Sequence, residues 1–313
     1  MQARLIAYPP EGAATICLIQ ADGMLRLGRT PDSGLATAPA GSVHLVLDHP
    51  SVSRVHAELR GMPDGWRLID MGSKNGSFVD GVQCTDAPLP PTCWLRFGDV
   101  HCEFATIDDT EASDRRQQVT ARRALATAHT AQLQRMTGLG DLLDASLRAV
   151  LELAHCERGF VLLDNGNDYV VRTSLALDPT MLASRAFSGS VSAVRRALAE
   201  RRTIVANDVA RLSWLAERAS VAIAGLNTLV CVPLFDGSRV LGAIYADRVR
   251  PGPAINDLDV DLLAAFADNA AMWIAAQRTR ELLDAHASAT AIEGGANGLP
   301  WDGIVAAHTG TAG

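Results

Sequence analysis

The chain has 313 residues, 48% of them hydrophobic and 20% charged, with a formal net charge of −7. That is enough apolar material for two ordinary cores, and an acidic balance with no long basic run argues against non-specific nucleic-acid binding. No apolar stretch reaches the ~18–20 residues of a membrane span, and the start MQARLIAYPPEGAATICLIQ joins no basic region to an unbroken apolar one, so a soluble, cytoplasmic protein is expected.

The first part of the chain is strand-like. ARLIAY, ATICLIQ, MLRLGR, VHLVLD, VHAELR, GWRLID, GSFVDG, CWLRFG and VHCEFATI are short apolar or alternating runs broken by Gly, Pro, Asp and Asn. Many short strands at close spacing predict an all-β sandwich over residues 1–108. From Asp109 the texture changes: DDTEASDRRQQVTARRALATAHTAQLQRM holds no Gly or Pro and many good helix formers, and reads as a helical linker over 109–138. LGDLLDASLRAVLELAHC follows as an amphipathic helix with Leu139, Leu143, Leu147, Val150 and Leu151 on one stripe. GFVLLD and YVVRTSLAL around the NGND turn form one hairpin; SVSAVRRALAERRT is a helix; TIVANDV is a short strand; NTLVCVPLFD and RVLGAIYADR form a second hairpin. Asn256 then caps a long helix whose expected inner side carries Leu258, Leu262, Phe266, Ala270, Trp273 and Ala276. Residues 139–280 are thus expected to be an α+β domain with an antiparallel sheet, and 281–313 a disordered tail.

The six cysteines (Cys17, Cys84, Cys93, Cys102, Cys156, Cys231) include no C-x-x-C pair and stand at no zinc spacing with histidine. They read as small buried hydrophobes of a reducing compartment, and no metal and no cofactor is expected.

Four fragments of the first domain carry the chemistry: Gly28-Arg29, SVSRVHAEL (51–59), DMGSKNGSFVDG (70–81) and LRFGDV (95–100). A cation after a glycine at a strand end (Arg29), a short hydroxyl (Ser53), a second positive charge from Arg54 or Lys74, and an amide in an N-G turn (Asn75) are the donors that a phosphate dianion needs around it. In this order the fragments resemble the forkhead-associated (FHA) family over roughly residues 4–107. The resemblance implies binding of phosphothreonine on a partner protein, a serine/threonine kinase or its substrate. It places Arg29 and Ser53 on the phosphate, Arg54 and Lys74 on phosphate or peptide backbone, and Asn75 on the peptide main chain. His56 would brace the binding loop from beneath, with Gly28 and Gly76 supporting the site. Two departures stand out: LATAPAGS reads as an insertion between Arg29 and Ser53, and the family's second N-G is Asp80-Gly81 here.

The second domain resembles the GAF family of small-molecule sensor and dimerisation domains, through its order of elements, NTLVCVPLFDGSRVLGAIYADR (227–248) and the capped last helix. The resemblance implies a pocket between sheet and connecting helices, near Trp214, Cys231, Tyr245 and Asp247; core packing is the other reading of these four. The residue patterns for a cyclic nucleotide, a bilin, haem or non-haem iron do not occur. Long flanking helices make a homodimer an expectation.

The leading reading is therefore a non-enzymatic phosphothreonine-dependent adaptor in kinase signalling. A regulatory subunit of a separate cyclase, kinase or transcription activator is the alternative, since no G-x-x-x-x-G-K-[ST] loop and no kinase motif set occurs. A GAF-based sulfoxide reductase would need a reactive cysteine with a resolving partner. An intramolecular variant has Thr120, Thr127, Thr130, Thr137, Thr309 or Thr311, once phosphorylated, occupying the chain's own site.

Overall fold

The computed structural model describes residues 1–30, 42–166, 169–177, 190–209, 212 and 225–293. The N-terminal part is a sandwich of two sheets. Strands β1 (Gln2–Tyr8), β2 (Thr15–Ile19), β3 (Met24–Gly28), β4 (Val43–Val46), β5 (Ala57–Met62), β6 (Gly65–Asp70), β7 (Ser77–Val79), β8 (Val82–Cys84), β9 (Asp86–Leu89), β10 (Thr92–Phe97) and β11 (Val100–Ile107) form it. One sheet has the order β2-β1-β11-β10-β7-β8, the other β4-β3-β5-β6-β9. Alternation decides which side chains go inside: Leu5, Leu25, Leu27, Leu59, Leu68, Leu95, Phe97 and Phe104 are fully enclosed between the sheets. The pairing is antiparallel except between β3 and β4, where Leu25 faces Val43 and Gly28 faces Val46 in parallel. Strands β8 and β9 do not stand out in the sequence. β8 has only three residues, and β9 contains Pro88, which an edge position tolerates because one side of the strand needs no ladder donor.

The C-terminal part has a five-stranded sheet between two helical layers. Its elements are α1 (Asp109–Leu133), α2 (Leu139–Leu153), β12 (Arg158–Asp164), β13 (Tyr169–Leu175), α3 (Val191–Glu200), β14 (Ile204–Ala206), β15 (Thr228–Asp236), β16 (Arg239–Arg248) and α4 (Asp257–Glu293). The sheet order is β13-β12-β16-β15-β14, and every pairing is antiparallel. Helices α1, α2 and α4 cover one face through Leu143, Leu147, Val150, Leu263, Phe266 and Ile274, while α3 lies against the other through Ala193, Val194 and Ala197.

Three details differ from the sequence expectation. Helix α1 is more than a linker: Ala126 and Leu133 enter the core, and Arg122 pairs with the buried Asp259 at 2.6 Å. The α4 face turned to the sheet runs Leu263, Phe266, Ala267, Ala270, Ala271, Ile274, with Leu258, Leu262 and Trp273 half-buried and Ala276 exposed. Apolar residues occur at adjacent positions there, so periodicity admits two neighbouring stripes and packing selects one. Finally, α4 continues past residue 280 to Glu293, having no Gly or Pro before Gly294; residues 294–313 lie outside the described residues.

The start of α4 is capped reciprocally: Asp259 N–H donates to Asn256 Oδ1 at 3.3 Å, and Asn256 N–H to Asp259 Oδ2 at 3.1 Å. The same segment joins the two halves. Ala14 N–H donates to Ile255 O and Asp257 N–H to Ala14 O, both at 2.9 Å, and Arg196 on α3 pairs with Glu11 at 3.0 Å. At the other end of β1, Arg4 and Gln2 bond Glu111 and Asp109 in the first turn of α1, each at 3.0 Å. Among the described residues no helix is long and apolar enough to cross a membrane.

Candidate functional site

At one end of the sandwich three loops converge: the exit of β3, the β4–β5 loop and the β6–β7 loop. Between them lies an open cleft of about 700 Å³ whose walls include Arg29, Ser53, Arg54, Lys74 and Asn75. All five predicted binding residues therefore share one cavity, although up to 46 positions separate them in sequence (Arg29 to Asn75).

The backbone explains how they meet. Gly28, the last residue of β3, passes so close to the β4–β5 loop that a Cβ there would stand 2.0 Å from Arg54 O. With no side chain in the way, Arg29 N–H reaches Ser53 O at 2.9 Å. Ser53 N–H donates to Nδ1 of the wholly buried His56 at 3.0 Å, and His56 Nε2 lies 3.1 Å from Gly76 O. Because Nδ1 accepts, Nε2 carries the proton and donates to that carbonyl, so His56 is held neutral. Burial pushes its pKa below the ordinary imidazole value, against the opposing pull of Gly76 O and the Asp70 carboxylate. One ring thus bonds to two of the three loops.

Ser53 Oγ accepts Lys74 N–H at 3.0 Å, so its own O–H proton remains to be given to a ligand. Asn75 Nδ2 donates to Ser51 O at 2.7 Å. The left-handed residue of the N-G pair is Gly76, with φ +77°, not Asn75; the turn spends the glycine on backbone geometry and leaves Asn75 to present its side chain. Arg54, Lys74 and Asn75 are exposed, and Arg29 and Ser53 half-buried. A guanidinium, an ammonium-bearing loop and a hydroxyl donor thus surround a cavity that solvent enters freely, a donor set suited to a phosphate and a peptide main chain.

Two contributors escape the sequence reading. Asp70 organises the β6–β7 loop: its Oδ1 accepts Gly72 N–H at 2.9 Å and Ser73 N–H at 2.8 Å, and its Oδ2 accepts the hydroxyls of Ser73 and Ser77, each at 2.6 Å. These donors hold the Asp70 carboxyl below the usual range despite its burial, which acts most strongly in the opposite direction. The signal is the D-x-G-S spacing of an Asx turn. Ser51 is the second: its Oγ accepts Asp99 N–H at 2.8 Å and lies 2.7 Å from His49 Nδ1.

The second domain places its candidates differently. Cys231, Tyr245 and Asp247 have no exposed surface and sit on the α3 side of the sheet or at its end. Tyr245 stacks on Phe160 at 5.0 Å, its hydroxyl donates to Asp247 Oδ2 at 2.7 Å and accepts Ser190 N–H at 3.1 Å, and Asp247 Oδ1 takes a bond from Arg158 Nε. Burial drives the pKa of both Tyr245 and Asp247 upward. Tyr245→Phe leaves Ser190 N–H and one carboxylate oxygen without that partner and is expected to cost about 1–3 kcal/mol in urea-unfolding measurements. Trp214 lies outside the described residues, as do 178–189, which precede Ser190.

Burial pushes the Cys156 thiol up to about 12 and Cys231 higher still, opposite to the lowered pKa of a reactive thiolate. Among the described residues no group of three or more His, Cys, Asp or Glu gathers as a metal would require. Thr120, Thr127 and Thr130 lie within α1, each donating its hydroxyl to the carbonyl four residues back at 3.0 Å. While that helix is intact they cannot be presented as the extended ligand of an intramolecular complex. Thr309 and Thr311 lie outside the described residues.

Comparison with known proteins divides the chain in two. The FHA domain model matches residues 25–98 and the GAF domain model residues 137–275. No curated protein matches the chain. Among solved structures, it is similar to the FHA domain of CT664 from Chlamydia trachomatis, at 20% identity and TM-score 0.29, over 34% of this chain and 100% of that one. It is also similar to FHA-1 of Rv1747 from Mycobacterium tuberculosis, at 21% identity and TM-score 0.26, over 34% and 100%. The GAF domain of the Acinetobacter phosphoenolpyruvate-protein phosphotransferase matches at 14% identity and TM-score 0.42, over 51% and 97%.

Proposed function

This chain is an FHA domain followed by a GAF domain, and from that premise we propose that it is a phosphothreonine-dependent adaptor of serine/threonine-kinase signalling. FHA domains are phosphothreonine-binding modules, and the single observation that carries the reading is the convergence of Arg29, Ser53, Arg54, Lys74 and Asn75 on one open cleft. In the proposed complex the phosphate lies between the Arg29 guanidinium and the Ser53 hydroxyl. Lys74 or Arg54 adds the second charge that a dianion favours, and Asn75 holds the peptide main chain. The partner is a protein phosphorylated on threonine, a kinase or its substrate, and the chain itself acts by binding rather than catalysis.

The test is fluorescence anisotropy of the full chain with a degenerate phosphothreonine peptide library beside its phosphoserine and unmodified counterparts. Binding of the phosphothreonine set alone, or well ahead of phosphoserine, is expected. Equal binding of modified and unmodified peptides rejects the reading.

The GAF half is proposed as the sensing and pairing half. Met272, Leu282 and Leu283 on α4 are 61%, 68% and 65% exposed, and a second copy is the partner proposed to cover them. Light scattering at micromolar concentration is expected to give twice the mass of one chain, and Leu282→Asp together with Leu283→Asp to return it to one. Such a dimer carries two phosphothreonine clefts and gains avidity on a multiply phosphorylated partner.

A further inference from the structure

The two domains enclose a second cavity, of about 580 Å³, at their junction. The sandwich contributes Tyr8, Pro9, Trp94 and Asp99 to it, and the GAF domain Arg248 and Ala254. Trp94 is 52% exposed, unusual for so large an apolar group, and its ring lies 6.1 Å from that of Tyr8. Arg248 is buried in the opposite wall, donating to Pro253 O at 2.6 Å, Thr228 Oγ1 at 3.1 Å and His155 O at 3.2 Å. The cavity therefore has an aromatic wall on the sandwich, its two rings tilted 38° to each other, and a hydrogen-bonded wall on the GAF side.

Its position matters as much as its lining. Asp99 is exposed, and its backbone N–H is the group that bonds Ser51 Oγ at 2.8 Å. Ser51 in turn lines the phosphate cleft and accepts the Asn75 amide. A residue lining one cavity is thus hydrogen-bonded to a residue lining the other. An extended chain advances ~3.3 Å per residue, so the residues flanking a bound phosphothreonine are the ones that would pass from the first to the second.

We propose that the junction cavity is the second half of the peptide-binding surface. The partner segment that seats its phosphothreonine between Arg29 and Ser53 continues past Asp99 and lays a proline or other apolar residue against Tyr8 and Trp94, with a basic residue beside the Asp99 carboxylate. This rests on the phosphothreonine reading above. Continuity with that cleft selects a peptide as occupant, aromatic rings are the surface on which extended proline-rich segments dock, and a carboxylate on a chain of net charge −7 favours a cation. The GAF domain then takes part in choosing the partner, by closing one side of the groove.

The experiment uses the full chain and synthetic peptides with a fixed central phosphothreonine and degenerate flanks long enough to reach both cavities. Wild type is expected to select proline or apolar residues together with Lys or Arg on one flank. Trp94→Ala should lose the apolar selection and bind the wild-type-selected peptide about tenfold more weakly, about 1.4 kcal/mol. Asp99→Lys should turn the basic preference into an acidic one, its backbone bond to Ser51 being independent of its side chain. Both positions are exposed, and thermal melts check that the variants stay folded. If both variants keep wild-type selection and affinity while Arg29→Ala weakens binding, the cavity has another occupant and the proposal falls alone. If wild type shows no phosphothreonine binding, the functional reading beneath it falls as well.

Discussion

Arg29→Ala is expected to weaken phosphothreonine-peptide binding by about 10- to 150-fold, the equivalent of the ~1.5–3 kcal/mol of a charge-assisted hydrogen bond, while leaving the melting temperature unchanged. The two effects separate because Arg29 does two jobs with different atoms. Its backbone N–H ties β3 to Ser53 O, and an alanine keeps that bond; its side chain is the part proposed to bind the phosphate in the cleft that Arg29 lines. Ser53→Ala should fall in the same range of affinity but with a small loss of stability, since Ser53 Oγ also accepts Lys74 N–H. Isothermal titration with one selected peptide, run beside thermal melts, checks both. Wild-type affinity in Arg29→Ala would remove this residue from the phosphate.

His56→Ala should do the opposite: destabilise the sandwich by about 3 kcal/mol and loosen the cleft as a consequence. The ring fills space against Phe97, 5.6 Å away edge-on, and bonds both Ser53 N–H and Gly76 O. Protonation should act as a milder version of the same change, because a proton on Nδ1 faces the Ser53 N–H that it must otherwise accept. The folded pKa is lowered by burial, so the unfolded chain takes up a proton first as pH falls. The stabilisation is complete above the ordinary value of 6.5 and declines as pH drops through it towards the folded pKa. His155 in the GAF domain is shifted in the same direction, again by burial. The pH dependence belonging to His56 is therefore the difference between wild type and a His56 variant, followed by urea unfolding between pH 7.5 and 5.5. The paired carboxylates act lower: Asp70, held below its usual value, contributes stability that is lost only as pH falls from about 3.8 through its folded pKa. A wild-type curve flat across the upper window would mean that the ring does not need to be neutral.

Much of this was legible in the residues because local chemistry and function coincide there. Gly28 before Arg29 reads as a strand end and Asn75-Gly76 as a turn; each needs only near neighbours to make sense, whereas the bracing by His56 was an implication of the family resemblance. Asp70 shows the limit. The D-x-G-S spacing points to its bonds with Gly72 and Ser73, but only the placement of Ser77 beside it reveals the fourth partner. The inner face of α4 was ambiguous for a different reason: Leu262 and Leu263 are equally apolar, and only the sheet decides which of them is enclosed. The packing of α1 depends on a pair between Arg122 and Asp259, residues 137 positions apart that no spacing rule connects.

The backbone bridge from Ala14 to Ile255 and Asp257 has a mechanical consequence. The FHA head is attached to the rest of the chain covalently through the base of α1, by main-chain bonds to the first turn of α4 and by the Glu11–Arg196 pair to α3. A body held at separate points cannot swivel about any one of them alone. A pull on a partner bound at the proposed cleft would therefore act on the root of the longest helix as well as on the base of α1.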